Sequence, residues 1–151
     1  MKRKKIIRYI VLPLLVIGAV AAIYIYKEYN RKHKDTAKVK ADYSILAADL
    51  LTEFAGNEKA SGEKYMDKVI RVEGLVKDII KDEKGFYTIS LGDTASMSSV
   101  RCSIDSTHTS EVVNLQKGTK LAVKGICTGY TADELLGADV VLVRCVVDSK
   151  K

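Results

Sequence analysis

Proline is nearly missing from this 151-residue chain: Pro13 is the only one, and it lies in an apolar stretch near the start. Whatever strands follow have no proline to blunt an exposed edge, which favours strands closed on one another over an open sheet. Tryptophan is absent and phenylalanine occurs twice, so a surface of stacked aromatics is hard to assemble. Two histidines, His33 and His108, and three cysteines, Cys102, Cys127 and Cys145, complete the soft ligands, with no C-x-x-C among them. That spacing does not make a zinc site, and neither a metal nor a cofactor is expected. His33 among lysines and His108 in a polar link both read as solvated side chains. The chain also lacks a paired-carboxylate signature, a glycine-rich phosphate loop, and any Ser-His-Asp set that strand alternation would bring together. It does not read as an enzyme, and Asp105 and Asp139 read as turn and strand-end residues.

Charge is divided unevenly. Residues 1–43 hold 11 Lys/Arg against 3 Asp/Glu, or +8, while residues 44–151 hold 14 against 16, or −2. The overall +6 therefore belongs to the start of the chain. Residues 1–8 form a cationic tail. Tyr9 to Tyr26 is eighteen residues without a charge, just long enough with its flanks to cross a bilayer core. Tyr9, Tyr24 and Tyr26 stand near its ends, where aromatic rings favour the interface. Ala19-Val20-Ala21 resembles a signal cleavage site, but the apolar run continues through Ile23 to Tyr26, which favours an uncleaved signal anchor. No cysteine follows the run, so it does not read as a lipoprotein. The short cationic tail places residues 44–151 outside the cytoplasm, at the outer face of the cytoplasmic membrane. Residues 27–43 read as a charged stalk.

Residues 44–148 carry a folded domain, with 149–151 as a tail. Ser44 is placed to cap a helix whose Leu46, Leu50 and Phe54 fall on one stripe, ended by Gly56-Asn57. A second short helix runs from Glu58 to Lys64. Leu46, Leu50, Phe54 and Tyr65 read as core. Then YMDKVIRVEGLV, Tyr65 to Val76, opens a run of strands: Val69, Ile70 and Val72 are β-branched, and Arg71 and Glu73 alternate with them. Gly74 reads as a bulge or bend. Strands are expected over Lys68–Ile79, Phe86–Leu91, Ser99–Asp105, Lys120–Tyr130 and Asp139–Val147, with a helical link over Thr107–Leu115. This order is that of a five-stranded OB-fold barrel. The fold class is thus all-β with short helices, preceded by a transmembrane helix and a helical lead-in.

Four pieces carry a family resemblance: YMDKVIRVEGLV, the C-x-x-D of Cys102 to Asp105, LQKGTKLAVKGICTGY (Leu115 to Tyr130), and DVVLVRCVV (Asp139 to Val147). Together they resemble the bacterial tRNA-anti-like OB-fold family, whose members often carry an N-terminal membrane or lipid anchor. With the lead-in helices the resemblance covers roughly all of the folded part. The inserted TADELLGA, Thr131 to Ala138, departs from the family's shorter link. The family name marks likeness to anticodon-binding domains and does not by itself imply tRNA as ligand.

Alternation turns Cys102, Cys127 and Cys145 inward. In an OB barrel the last strand lies between the third and fourth. A connection folding about Glu134-Leu135 sets Cys127 opposite Leu142 and Cys145 opposite Lys124, too far apart for Cys127 and Cys145 to bridge. Any disulfide would be Cys102–Cys145, with Cys127 a free core thiol. The outward face offers Arg71, Phe86 and Arg101 as candidate ligand-binding residues, with Thr88 and Ser103 between them. One aromatic and two arginines, beside Glu73 and Asp105 on a domain of −2, make a poor phosphate trap. The expected role is a binding or interaction module of the bacterial cell envelope, taking an unknown protein or small ligand. The alternative is a nucleic-acid-binding domain tethered at the cytoplasmic face.

Overall fold

The computed structural model describes residues 16–26, 35–133 and 135–148. The cationic tail, residues 9–15 of the apolar run, residues 27–34 with His33, Glu134 and the tail 149–151 lie outside them. Residues 16–26 are helical and belong to a separate unit from the rest. Among the described residues no helix is long and apolar enough to cross a membrane.

The β-branched alternation around Val69 grows into one long strand, β2 (Val69–Lys81), which buries Ile70, Val72 and Val76. Its length lets it serve different partners along its course. The first half pairs antiparallel with β5 (Lys120–Asp133), from Val69 opposite Ile126 to Leu75 opposite Lys120. The second half pairs antiparallel with β3 (Tyr87–Leu91) from Val76 opposite Leu91 onward, with a register shift between Val76 and Asp78. β3 pairs with β4 (Ser99–Ile104), β4 runs parallel to β6 (Gly137–Val147), and β6 pairs with β5. The five strands therefore close into a ring, β2–β3–β4–β6–β5 and back to β2. Closure removes the open edges that a proline-poor sheet would otherwise expose.

A sixth strand, β1 (Tyr43–Leu46), lies parallel to β2 with Ser44 opposite Arg71. Ser44 is thus extended rather than a helix cap. α1 (Ala47–Gly56) begins after it, with Leu46 at the cap position making no side-chain cap bond. Backbone pairing with β2 outweighed the local capping preference, and Leu46 is turned to solvent at 49% exposure. Leu50 and Phe54 are buried as the stripe required, and Tyr65 at the end of α2 (Glu58–Tyr65) joins them. Asn57 caps α2 through Ala60 N at 3.0 Å. Phe54 stacks on Tyr130 of β5 at 5.0 Å between ring centroids. Burying one such side chain stabilises by roughly 1.5–3 kcal/mol.

Gly74 is not the bulge. The register shift falls two residues later, and Gly74 is instead where α1 meets β2: a Cβ there would stand 2.9 Å from Ala47 Cβ. The link after β4 is a 3-10 turn, Ser106–Glu111, capped by the Asp105 carboxylate. Of its apolar residues Val112 is buried, whereas Val113 is exposed. Thr131 to Ala138 does not form a separate link but lengthens the β5–β6 hairpin, which pairs out to Asp133 opposite Gly137. Cys127 does face Leu142. A register shift after Lys124 sets that residue opposite Val146, so Cys145 faces the Gly125 position, not Lys124.

All three cysteines are fully buried free thiols. Cys102 is opposite Leu142, and Cys145 is opposite Ile104, so these two meet diagonally across β4 and β6 without a bridge. Burial pushes the Cys127 thiol up to about 11. It raises Cys145 well above the ordinary range, with Cys102 beside it as the second cause. Gly125 makes the space, since a Cβ there would stand 2.5 Å from Cys145 Sγ.

Two outcomes follow from this packing. Gly74→Ala should lower stability by about 1–3 kcal/mol in urea denaturation, the usual range for overpacking, because the Ala47 Cβ has no rotamer to escape into. Ala47→Gly in the same chain should show a favourable coupling, and strict additivity would contradict the contact. The reduced native protein at pH 8 should expose no thiol to a disulfide-exchange reagent within seconds, and three in denaturant. A fast-reacting native thiol would contradict the burial.

Candidate binding face

β3 and β4 turn their inward residues, Ile89, Leu91, Val100, Cys102 and Ile104, into the core. The opposite face is small and polar. Thr88 stands opposite Ser103 and Ser90 opposite Arg101, with Asp78 and Ile80 alongside on β2. Two turns border it. At one, the Asp82 carboxylate accepts from Lys84 N at 2.9 Å and Phe86 N at 2.8 Å, and Gly85 takes a positive φ of 86°. This stiff turn holds Phe86 out at 46% exposure. At the other, the Asp133 carboxylate accepts from Leu135 N and Leu136 N at 2.8 and 2.9 Å, leaving Leu135 81% exposed. Gly137, at φ 84°, passes so close to Met97 that a Cβ would stand 2.8 Å from its carbonyl carbon. The leucine tip is thus seated against the loop that carries exposed Met97. Lys77 steadies that loop by donating to the carbonyls of Ser96 and Ser98.

Several cations around this ring are paired with carboxylates. Arg101 Nε lies 2.8 Å from Asp139 Oδ2, and Asp139 also accepts from Ser99 Oγ at 2.6 Å. Lys117 meets Asp78 at 2.6 Å and, with the Ile79 N–H, holds that carboxyl below its usual range. Arg71 bonds Asp148 at 2.9 Å and Glu73 at 3.3 Å. Lys120 reaches Glu73 at 2.7 Å, and its hydrogen bond leads the lowering of the Glu73 carboxyl, with Arg71 adding to it. Of the three residues proposed for ligand contact, Phe86 and Arg101 share the β3–β4 face. Arg71 does not: its cross-strand neighbours are Ser44 of β1 and Lys124 of β5.

Reading the sequence alone missed several groups. Ile80, Met97, Leu135 and Leu136 add apolar area around the face, and the Leu-Leu pair inside the inserted segment was the one visible signal. Asp139 and Asp78 neutralise its cations, which only cross-strand register reveals. A shallow groove of about 290 Å³ beside it is lined by Ala48, Leu51, Ala55, Ser98 and Ala138. On the helical side, Lys64 and the Tyr65 hydroxyl both donate to Glu53, at 2.9 and 2.8 Å, and Lys64 hangs over the Tyr65 ring. These bonds, Lys64 first, lower the Glu53 carboxyl. His108 is not a freely solvated side chain, because it stands between two carboxylates. No cluster of metal-ligating groups occurs among the described residues.

In structure the chain is similar to one described as a "putative nucleic acid-binding lipoprotein" from Klebsiella pneumoniae. The TM-score is 0.55 at 18% identity, over 70% of this chain and 91% of that one. At that identity the likeness concerns the fold alone. Weaker similarity reaches the asparaginyl-tRNA synthetases of Entamoeba histolytica (TM-score 0.40, 17% identity) and Pyrococcus horikoshii (0.38, 20%). It covers 56% of this chain in both, and 21% and 20% of the respective enzymes. No curated protein sequence matches. The tRNA_anti-like sequence profile spans residues 1–147, nearly the whole chain. With strands closed in the OB order, this protein belongs to the tRNA_anti-like family.

Proposed function

We propose that the domain is a non-enzymatic binding module for a protein partner, held at the cell envelope by its apolar N-terminal segment. One observation carries the choice of ligand class: the ring's guanidinium and ammonium groups at Arg71, Arg101, Lys117 and Lys120 are each paired with a carboxylate. A polyanion gains its affinity by replacing condensed counterions with free protein cations. A phosphate approaching any of these four would first have to displace a carboxylate at 2.6–2.9 Å. Apolar side chains, by contrast, stand ready. Phe86 and Ile80 are exposed at one end of the hydroxyl-rich face and Met97, Leu135 and Leu136 at the other, a mixture of apolar anchors and polar contacts that protein partners use.

The apolar run of Tyr9 to Tyr26 supports the membrane part of the reading, and the cations just ahead of it, Lys2 to Lys5 and Arg8, support a domain outside the cytoplasm. A reporter fused after Lys151 should be active in the form that works outside the cytoplasm. Activity of the cytoplasmic form would reverse the orientation.

The ligand class has its own measurement. Single-stranded RNA or DNA should bind the purified chain only weakly at physiological salt. Asp139→Asn, by freeing Arg101, should raise that affinity several-fold and steepen its salt dependence by about one phosphate contact. Micromolar or tighter binding by the unaltered chain would favour a nucleic-acid ligand over a protein.

A further inference from the structure

The segment that leads into the ring is seated on it. Asp35 caps the 3-10 turn Thr36–Lys38 through Ala37 N at 3.0 Å. Thr36 is buried, and Lys124 of β5 donates to Ala37 O at 3.0 Å. Farther along, Asp42 is tied to Val69 by its backbone N–H and its carboxylate. The seat has a weak point: among the described residues Thr36 Oγ1 is buried without a hydrogen-bond partner. An unsatisfied buried hydroxyl opposes the burial of its own segment.

His108 bridges this segment to the ring. Its Nδ1 lies 2.9 Å from Glu111 Oε1, and its Nε2 lies 3.4 Å from Asp35 Oδ1. Glu111 is held in turn by Val147 N at 3.2 Å. A neutral imidazole has one N–H and one lone pair. It can satisfy one carboxylate, but it then turns a lone pair on the other. Only the imidazolium donates to both. We propose that His108 is a pH-responsive latch: protonated, it fastens residues 35–40 to the ring, and on losing its proton it releases them.

The surroundings agree in sign. Glu111 and Asp105 face His108 from its own turn, and Asp35 faces it from the seated segment. Lys38, 3.9 Å from Asp35, Arg144 of β6 near Asp105, and Lys124 at Ala37 O are the cations on the elements around it. The Glu111 hydrogen bond, followed by Asp35, raises the histidine above its ordinary value, against the opposing effect of burial. With the folded-state pKa above about 6.5, the latch is fully engaged below that pH. It is lost as pH rises through the raised value.

Amide hydrogen exchange on the full chain in detergent micelles, corrected for intrinsic rates, tests this. Between pH 5.5 and pH 8.5 the protection of Lys38 N and Val39 N should fall by about tenfold for each unit by which Asp35→Asn lowers the His108 pKa, because the Glu111 bond stays with the ring when the segment leaves. Asp42 N, bonded to β2, should keep its protection. His108→Gln should abolish the difference, and Asp35→Asn should bring the histidine pKa down toward its ordinary value by NMR. Replacing His33 identifies which of the two histidine signals is which. Equal protection at both pH values, a difference that survives in His108→Gln, or a histidine titrating at or below its ordinary value would overturn the latch. So would an equal loss at Asp42, which would mean general loosening of the domain.

Discussion

The ring closes because β2 is long enough to be shared. Its first half completes the sheet against β5 and its second half starts the sheet against β3. The change of partner falls between Leu75, opposite Lys120, and Val76, opposite Leu91, and a register shift follows at once between Val76 and Asp78. Everything else inherits its place from this closure. The inward residues of five strands meet in one core, β4 and β6 become parallel neighbours, and β1 is left a short free stretch of β2 to pair with.

The helical lead-in depends on the same strand. Ala47 can approach β2 only because Gly74 carries no side chain. That approach drives Leu50 and Phe54 inward and stacks Phe54 on Tyr130. The Glu53–Lys64–Tyr65 bonds then tie α1 to α2. These are partly exposed contacts, and their energetic share is small beside the apolar burial beneath them.

The same closure shapes the surface. Parallel pairing of β4 with β6 brings Asp139 to Arg101, and the end of β6 brings Asp148 to Arg71. The proposed preference for a protein partner rests on these pairs, since a paired cation gives a phosphate less to replace. The acidic balance of the domain and its ion pairs are thus two expressions of one property.

Period-two alternation made four of the ring strands legible, since Ile70, Val72, Val100, Cys102 and Val123 must share an interior whatever the connections. In the last strand it put Val141 and Val143 inward with Cys145, whereas Val140 and Leu142 are the buried pair, because the strand breaks its alternation at Arg144, φ 52°, before Cys145. Alternation also turned Arg101 and Phe86 outward. The uneven charge likewise separated a basic start from a near-neutral domain. What alternation does not carry is register and long-range company. Ser44 satisfied every local rule for a helix cap and became a strand, because a neighbouring backbone offered more. Gly74 carried the mark of a bulge and proved to be a contact. Arg71 with Asp148, Arg101 with Asp139, and His108 with Asp35 join residues 77, 38 and 73 positions apart. Local pattern records only how a side chain faces. Which charge stands opposite it is decided when the strands choose their partners, and that choice belongs to the tertiary structure.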